Sequence, residues 1–435
     1  MTLPVPPLIR RAADQDDQIG APDTRPLRDG NKPSCAVSAQ SMNADPVIGR
    51  ENPIKLILNV ESIVPPVTGI GRYTSEILGG LLARGLGGDL HCFSHFHWVD
   101  ARRVIEASSE PPPPNNFRPF LRSLPYAYDL RCIARNAVFR RSAKSLAGAV
   151  YHEPNYILKP YDGPTIVNCH DLSHLHFPEH HPAERVRYLD RNLEKSLRKA
   201  TRIVTLSDFV RREVLDTFAF DPATVITIPV GVDDRFRPHA RDETQGIMSR
   251  HGLEHGRYVL SVATIEPRKN LHGLVRAFMR LPAGLRAAYP LVLCGATGWR
   301  ESHLEQSLDA LVREGSVRRL GYIPEADLPG LYAGAAAFAF PSFYEGFGLP
   351  PLEAMASGTP VLASATGSIL EVVGDAGLLV DPHDDAALAA GLERILTDRP
   401  LRDDCIASGL ERAERFSWTS CVDRTIALYR QLQGS

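Results

Sequence analysis

The sequence predicts an α/β protein built from two doubly wound, Rossmann-like domains that face each other across a cleft. Three observations support this prediction. The chain has 435 residues, enough for two domains of ordinary size. From Ile54 onward, short apolar runs alternate with helical stretches, as in a largely parallel sheet covered by helices. The alternation breaks near 232–257 and then starts again.

The composition narrows the class of protein. Apolar residues make up 43% of the chain and charged residues 23%, which is typical of a soluble globular enzyme. The net charge of −2 gives no general attraction to nucleic acid or to a membrane. Seven scattered cysteines without a CxxC pair favour reduced thiols over a disulfide framework or a zinc site. With no apolar run of membrane-spanning length and no signal-peptide core, we expect a cytoplasmic protein.

We predict four segments along the chain. Residues 1–50 are rich in Pro, Asp, Arg, Ser and Gln, which is typical of a disordered tail, and Met42 is an alternative start to Met1. The first domain is predicted to cover 51–235 and the second 236–415. The last segment, 416–435, contains an amphipathic helix that we expect to cross back onto the first domain.

The predicted strands are the short apolar runs. In the first domain these are 54–60, 90–93, 149–151, 165–169, 202–206 and 225–228. In the second domain they are 258–262, 291–294, 336–340, 360–362 and 377–380. Most are separated by helical stretches, so we expect the carboxyl ends of the strands to form the ligand-binding edge of each sheet.

A glycine turn follows the first predicted strand. Gly69 and Gly71 stand between that strand and a helix, where backbone N–H groups can face an anion at the helix N-terminus. A plain tight turn explains the two glycines equally well. No third glycine completes the dinucleotide fingerprint.

Two cations follow the first predicted strand of the second domain. Arg268 and Lys269 precede Asn270, which suits the N-cap of the next helix. Cations at a helix N-terminus oppose the helix dipole, so an anionic ligand explains them better than a structural role does. Arg and Lys are the usual partners of phosphate. We therefore predict that this pair binds phosphate or pyrophosphate.

Two carboxylates follow the apolar run 335–340. Glu345 and Glu353 stand eight positions apart, and the proline pair between them suits the first turn of a helix. We expect Glu345 on the loop at the end of a strand and Glu353 in the first turn of the next helix. Gly346 and Gly348 would allow the backbone to approach a ligand closely. For Glu353 the helix dipole offers a purely structural alternative.

Several histidines follow predicted strands of the first domain. His170 could contact a substrate hydroxyl or act on a proton. His174 and His176, close to His170, suggest a His-x-x-x-His metal site, but this spacing needs a continuous helix and Pro178 follows closely, so we expect no metal site. For His152 a buried structural role is the simpler interpretation.

The stretch 117–144 is strongly basic. It holds seven cations against one acid, Asp129, with apolar residues interleaved. This pattern is typical of a basic amphipathic helix on an anionic membrane surface, and a solvated basic face is the alternative. Nucleic-acid binding has no support from the net charge or from a motif.

Together these motifs resemble those of the retaining glycosyltransferases of family 4, the group 1 transferases, which have the two-domain GT-B fold. The resemblance extends from about Ile54 to the C-terminus. It rests on the Glu345/Glu353 pair and on Glu-Pro-Arg-Lys-Asn at 266–270. Shorter matches are found at 68–73, 170–172 and 230–233.

The resemblance implies a role for each candidate residue. Glu353 would bind the ribose hydroxyls of a nucleotide, and Glu345 would face the donor sugar near its reacting carbon. Arg268 and Lys269 would hold the pyrophosphate, and His170 would contact the sugar. The remaining donor-binding positions would be Gly69 and Gly71 at the pyrophosphate, and Gly346, Phe347, Gly348 and Leu349 in the loop over the sugar.

The resemblance also implies the activity. The protein would be a retaining hexosyltransferase that moves a sugar from a nucleotide-sugar donor to a saccharide or lipid-linked saccharide during surface polysaccharide synthesis, such as that of lipopolysaccharide. GDP-mannose is the first candidate donor and a UDP-sugar the second. No cofactor and no metal are expected in the chemical step. The alternatives are a nucleotide-sugar epimerase, a non-catalytic nucleotide-sugar-binding protein, and a nucleic-acid-binding protein that uses 117–144.

Overall fold

The computed structural model describes residues 54–434 except 65–66, 68, 109–126 and 296–310. The disordered tail predicted for 1–50, with the alternative start at Met42, lies outside the described residues, and so does 117–126 of the basic stretch. Among the helices of the described residues, none is long and apolar enough to cross a membrane.

The first domain is built on a sheet whose seven described strands follow the order β3-β2-β1-β4-β5-β6-β7. The strands are β1 (Leu56–Asn59), β2 (Leu90–Ser94), β3 (His97–Val99), β4 (Val150–Glu153), β5 (Thr165–Asn168), β6 (Arg202–Thr205) and β7 (Val225–Thr227). The helices described are α1 (Gly69–Ala83), α2 (Ala101–Ser108), α3 (Ala127–Ser142), α4 (Ser173–His176), α5 (Ala183–Lys199) and α6 (Asp208–Phe218). The strand pairs are parallel except for the β2–β3 hairpin.

The second domain has a parallel sheet with the order β10-β9-β8-β11-β12-β13 in its described part. Its strands are β8 (Val259–Val262), β9 (Leu291–Cys294), β10 (Val317–Gly321), β11 (Ala337–Phe340), β12 (Val361–Ser364) and β13 (Leu378–Val380). The helices that follow α6 are α7 (Arg241–His251), α8 (Leu271–Met279), α9 (Ala283–Ala288), α10 (Leu328–Ala333), α11 (Leu349–Ala356), α12 (Gly367–Val373), α13 (Asp385–Thr397), α14 (Arg399–Glu414) and α15 (Trp418–Gln433).

The central strands are buried on both faces. Every residue of β1, β4 and β5 is buried in the first domain, and so is every residue of β9, β11 and β12 in the second. Helices that cover both faces of a parallel sheet produce this burial, and it explains why the strands are continuous apolar runs in the sequence. Polar residues then follow where the strands end.

Two edge strands and one helix were not predicted. β3 is a three-residue strand of a hairpin, and β10 carries Arg318 and Arg319, so neither forms a clear apolar run. Edge strands need less apolar character because one side of each strand has no neighbouring strand. The helix α7 occupies the region 232–257, where the alternation breaks.

The chain crosses between the domains at two adjacent places. The Val232 N–H donates to the Phe416 carbonyl at 3.2 Å, and Val232 forms a parallel bridge with Ser417. A Cβ atom on Gly231 would lie 2.0 Å from the backbone nitrogen of Trp418, so the two segments approach this closely only because Gly231 has no side chain.

The last helix, α15, packs against the first domain. Its Val422 lies against Gly80 of α1, and Asp423 pairs with Arg84 at 2.7 Å. The domain limits 51–235, 236–415 and 416–435 remain predictions.

Candidate active site

The candidate residues lie where strands of the two sheets end. His170 follows β5, the segment 266–269 follows β8, and Glu345 follows β11. The ends of β8 and β11 are adjacent because these strands pair directly. The Phe343 N–H donates to the Arg268 carbonyl at 2.9 Å, which fixes the two loops of the second domain against each other.

A cluster of four charged side chains forms between these loops. The Lys269 Nζ donates to both carboxylate oxygens of Glu345, at 2.7 and 2.9 Å. Arg268 donates through Nη1 to Glu345 at 3.0 Å and through Nη2 to Glu266 at 2.7 Å. Glu345 is only 8% exposed, and Glu266 5%. Two buried acids are therefore neutralised by two cations.

The charges of this cluster are maintained by mutual pairing. Burial alone would raise the pKa of Glu345, but Lys269 and Arg268 hold the pKa of this carboxyl below its ordinary value. Burial and the neighbouring Arg268 lower the pKa of Lys269. Glu345 is thus a carboxylate at neutral pH and holds no proton to donate. An anion that entered here would compete with Glu345 for Lys269 and Arg268.

Glu353 lies in the second turn of α11, so its predicted position in the first turn was wrong. The helix starts at Leu349, with Gly348 at φ 117° as the N-cap, and the proline pair occupies its second and third positions. Helix-dipole effects are confined to the first turn, so the dipole does not explain Glu353. Glu353 is 5% exposed and pairs instead with Arg72 of α1, across the two domains. Burial raises the pKa of Glu353, and Arg72 offsets part of this shift.

His170 is held as a neutral ring of defined tautomer. Its Nε2 lies 2.6 Å from the Pro154 carbonyl, which only accepts, so Nε2 carries the proton. Burial lowers the pKa of His170, which keeps the ring neutral. The rings of Tyr73 and Tyr156 pack edge-on against it, with centroids at 5.7 and 5.6 Å. The Nδ1 atom keeps a lone pair that can accept a hydrogen bond from a sugar hydroxyl.

The other candidate histidines differ in their surroundings. His152 is fully buried, with Nδ1 2.6 Å from the Tyr429 hydroxyl and Nε2 2.7 Å from Asn168 Oδ1, so the structural interpretation is confirmed. His174 and His176 lie on the single turn of α4. No group of three or more potential metal-ligating side chains occurs in the part of the chain that the structure describes.

The glycine turn opens the 15-residue helix α1 near the site. α1 begins at Gly69 and has no acidic residue in its first turn, so its N-terminus is available to an anion. A Cβ atom on Gly71 would lie 2.6 Å from the Ser62 carbonyl, so Gly71 is also required for local packing. The contact of either glycine with a pyrophosphate remains a prediction.

The loop that carries Glu345 touches the first domain. A Cβ atom on Gly346 would lie 2.0 Å from the His170 carbonyl, so glycine is needed for this contact. The Phe347 ring packs against Phe416, with centroids 5.7 Å apart, and is buried in the core. The Phe347 side chain therefore anchors the loop in the core, while the backbone of the loop faces His170.

Comparison with known proteins identifies the family. Residues 67–236 match the family model described as Glycosyltransferase Family 4, and residues 245–412 match that described as Glycosyl transferases group 1. The O-antigen chain mannosyltransferase B of Escherichia coli is 39% identical over 384 residues, which are 87% of this chain and 100% of that protein. The chain belongs to the group 1 glycosyltransferases. The predicted family and hexosyltransferase activity are confirmed.

Two further similarities agree with this result. The transferase is 32% identical over 280 residues to the serotype-specific mannosyltransferase WbdA of E. coli. The matched segment covers 62% of this chain and 34% of that protein. The structure of sucrose-phosphate synthase from Thermosynechococcus elongatus superposes with a TM-score of 0.67 at 22% identity, covering 87% of this chain and 99% of that one. The predicted GT-B fold is thereby confirmed.

The sequence interpretation of the transferase missed several residues at the site. Arg72 stands in the quoted motif 68–73, yet its pairing with Glu353 depends on the approach of the two domains. Glu266 could have been noticed as an acid directly before the Pro-Arg-Lys turn. Asp171 is half-buried. Desolvation alone would raise its pKa, but Arg268 and the Ser173 hydroxyl and N–H lower it to about 2. Asp171 and Glu266 share one feature that the sequence shows, since each is an acidic residue that follows a strand closely.

The basic stretch is only partly a surface feature of the transferase. Its described part includes α3, and Arg135 of this helix turns inward to pair with Glu61 at 2.8 Å. Ile133 and Val138 of the same helix are 64% and 39% exposed. One face of α3 is therefore bound to the sheet edge, and another presents apolar side chains to solvent.

Proposed function

We propose that this glycosyltransferase moves a mannosyl group from GDP-mannose to a saccharide or lipid-linked saccharide of a surface polysaccharide, with retention of configuration. The observation that carries the proposal is the Glu345–Lys269–Arg268 cluster at the strand ends facing His170. In this cluster, two cationic side chains that can exchange Glu345 for an anionic ligand lie beside that carboxylate in a buried site. The E. coli relative at 39% identity is a mannosyltransferase of O-antigen chains, which supports mannose as the transferred sugar.

The leaving diphosphate is stabilised by positive charge in this mechanism. Lys269 and Arg268 exchange part of their contact with Glu345 for the diphosphate oxygens, and the N-terminus of α1 contributes backbone N–H groups. The acceptor oxygen forms its bond to the anomeric carbon on the face from which the diphosphate leaves. The bond from that carbon to the diphosphate oxygen breaks, and the hydroxyl proton passes to the departing oxygen. The cations supply the charge stabilisation, so no metal is required in the chemical step.

The carboxylates position the donor at two points. Glu345, released in part from its cations, accepts hydrogen bonds from the sugar hydroxyls, and the Nδ1 of neutral His170 accepts another. Glu353 accepts hydrogen bonds from the ribose hydroxyls. Arg72 pairs with Glu353 in the structure, so the ribose hydroxyls would share this carboxylate with Arg72 or replace it.

A nucleotide panel tests the donor. GDP, UDP and ADP, each free and as a sugar conjugate, are compared by thermal shift, because a ligand that binds only the folded state raises Tm by mass action. At about 100 times Kd the expected stabilisation is about 2.7 kcal/mol. A shift with UDP compounds alone would overturn the GDP assignment. Release of GDP only when a saccharide is added supports transfer, whereas donor interconversion without an acceptor would indicate an epimerase.

We further propose peripheral contact with an anionic membrane at its cytoplasmic face, through α3 and the residues that follow it. Exposed Ile133 and Val138 stand beside exposed Arg140, Arg141 and Lys144. Such a face combines apolar insertion with attraction to anionic lipid. The contact would bring a lipid-linked acceptor close to the first domain.

Flotation with phosphatidylglycerol liposomes tests this contact. The double variant Arg140→Glu/Arg141→Glu should float markedly less than the wild type at low salt. Arg102→Glu/Arg103→Glu on α2 makes the same charge change at two exposed positions and serves as the matched control. Equal loss in both variants would mean that only net charge matters, and no flotation of the wild type would reject the contact.

A further inference from the structure

Tyr344, the residue directly before Glu345, reaches from the second domain into the first. It is only 5% exposed. Its ring packs against Phe209 of α6 and against Phe177, which follows α4, with ring centroids 5.8 Å apart in both pairs. Two consecutive residues of one loop therefore have different surroundings, because the Glu345 carboxylate is bound by the cations of its own domain.

The hydroxyl of Tyr344 forms hydrogen bonds with two elements of the first domain. It donates to Glu213 Oε2 on α6, and it accepts from the Leu172 N–H, directly before α4, at 3.0 Å. Burial and the Glu213 carboxylate raise the pKa of Tyr344, so the hydroxyl keeps its proton and remains a donor. A phenylalanine would satisfy the packing alone, whereas a buried hydroxyl is tolerated when it is hydrogen-bonded. The hydroxyl therefore indicates a specific contact between the domains.

The carboxylate that accepts from this hydroxyl is itself held in place. His176 Nε2 of α4 lies 2.8 Å from Glu213 Oε1, so the two oxygens of Glu213 have different partners. The His176 ring also lies beside the Tyr344 ring, with centroids 5.6 Å apart. A side chain of α4 thus orients an acceptor on α6, and both helices contribute to the position of Tyr344.

The backbone of the same loop is bonded to both domains. Arg268 Nη1 donates to the Tyr344 carbonyl at 2.8 Å, within the second domain. Ser207 Oγ, directly before α6, donates to the Gly346 carbonyl at 2.8 Å, across the domains. Glu345 therefore lies between two residues that are each hydrogen-bonded to the first domain, one through its side chain and one through its carbonyl.

The position of Glu345 relative to the first domain matters because His170 belongs to that domain. In the proposed transfer, both side chains accept hydrogen bonds from hydroxyls of the same sugar. Leu172, whose N–H donates to Tyr344, is two residues after His170 in the chain. The segment that carries His170 therefore also holds the loop that carries Glu345.

We propose that Tyr344 is a positioning residue of the transferase, which fixes Glu345 opposite His170 through the hydrogen bonds of its hydroxyl to Glu213 and to the Leu172 N–H. This role rests on the proposed function, in which Glu345 and His170 bind the sugar. Tyr344 acts through Glu345 and does not itself bind the donor. Loss of its hydroxyl should therefore reduce the rate of transfer and leave nucleotide binding unchanged.

The variants Tyr344→Phe and Glu213→Ala, singly and together, test this role in the full chain. Turnover is measured as GDP released from GDP-mannose with octyl mannoside as the acceptor probe, beside the thermal shift with GDP. Each single variant should lower kcat about tenfold, the effect of losing a hydrogen bond to a charged group, and should keep the wild-type donor KM and GDP shift. The double variant should lose no more than the weaker single variant, because both changes remove the same contact.

Tyr161→Phe is the matched control for the loss of a hydroxyl. The Tyr161 hydroxyl donates to the carbonyls of Leu146 and Ala149, at 2.9 and 2.7 Å, within the first domain. Ala149 directly precedes β4, so these bonds lie at the end of that strand away from the candidate site. Tyr161→Phe should keep the wild-type kcat, and so should Glu194→Ala, at an exposed position of α5.

Four results would overturn the positioning role. They are a wild-type kcat in Tyr344→Phe, an equal loss of kcat in Tyr161→Phe, a loss of the GDP shift, and losses that multiply in the double variant. Should Tyr344→Phe fail to fold, Glu213→Ala tests the same contact from the first domain and should show the same fall in kcat.

Hydrogen exchange of the Leu172 amide, which needs no donor, separates this role from the proposed function. Because this N–H is bonded to the Tyr344 hydroxyl, Tyr344→Phe should speed its exchange about tenfold, and Tyr161→Phe should not. If Leu172 responds but the wild type releases no GDP, the proposed transfer is wrong and the contact between the domains stands. If the wild type transfers mannose but Leu172 exchanges equally fast in Tyr344→Phe, the positioning role is wrong and the transfer stands.

Discussion

Replacement of Lys269 by methionine and of Glu345 by glutamine, singly and together, measures how strongly the buried cluster is coupled. At the 2.7 Å separation of Lys269 Nζ and Glu345 Oε1, an effective dielectric constant of about 20 gives an attraction of about 6 kcal/mol before desolvation. Loss of one partner of a buried pair usually costs about 3–5 kcal/mol. Arg268 remains 3.0 Å from Glu345, which favours the lower end, about 3 kcal/mol for each single variant.

The double variant should be less destabilised than the sum of the two single variants. With a coupling energy of about 2 kcal/mol between contacting residues, the double variant loses about 4 kcal/mol instead of about 6 kcal/mol. For a domain of this size, 1 kcal/mol corresponds to about 2–4 °C in Tm. Each single variant should therefore lower Tm by about 6–12 °C, and the double variant by about 8–16 °C.

Thermal melts followed by circular dichroism supply the measurement. Lys195→Met, at an exposed position of α5, is the control and should change stability by less than about 0.5 kcal/mol. Transfer should fall about 10²–10³-fold in Lys269→Met, since a group that stabilises developing charge is removed. Additive losses in Tm would refute the coupling, and near-normal turnover in either single variant would refute the assigned role of the cluster.

Three further predictions concern the carboxylate of α11, the Glu345 loop and α4. Glu353→Ala should raise the donor KM about tenfold or more and reduce kcat less, because it removes ribose contacts formed before the reaction as well as during it; an effect on kcat alone would contradict this. Gly346→Ala places a Cβ atom 2.0 Å from a carbonyl oxygen of the first domain and should strongly reduce transfer, whereas Gly79→Ala on α1 has open space and should not. The hydrogen bond to Glu213 raises the pKa of His176, so its stabilisation is complete below pH 6.5 and is lost as the pH rises through the raised pKa. His176→Gln should therefore flatten the decline in Tm between about pH 6 and about pH 8, and an unchanged slope would exclude this histidine as its source.

Much of the fold could be predicted because its strands are buried on both faces. A strand such as β11 has no solvent-facing side, so its sequence is a continuous apolar run that stands out from its surroundings. The loops that carry Glu345 and Arg268 could also be predicted, because they follow the carboxyl ends of such runs. β10 has one unpaired edge and two arginines, so the same criterion could not detect it.

The pairings within the site could not be predicted from the sequence. Lys269 and Glu345 are 76 positions apart, and Arg72 and Glu353 are 281 positions apart. Such contacts depend on how the loops and domains approach each other, which composition and periodicity do not specify. The position of Glu353 was misjudged for a local reason, since the helix starts at Leu349, one residue before the proline pair. The assigned roles of the site residues remain predictions.

The paired crossing segments at Val232 and Ser417 restrict how the two domains can move. A single flexible connection would allow one domain to swivel about any axis. Two segments that are joined by a backbone hydrogen bond and an isolated parallel bridge restrict rotation between the domains more than one segment would. Separation of the two domains for nucleotide entry would then follow a nearly fixed path. Glu353 and Arg72 would separate and pair again in the same geometry in each cycle.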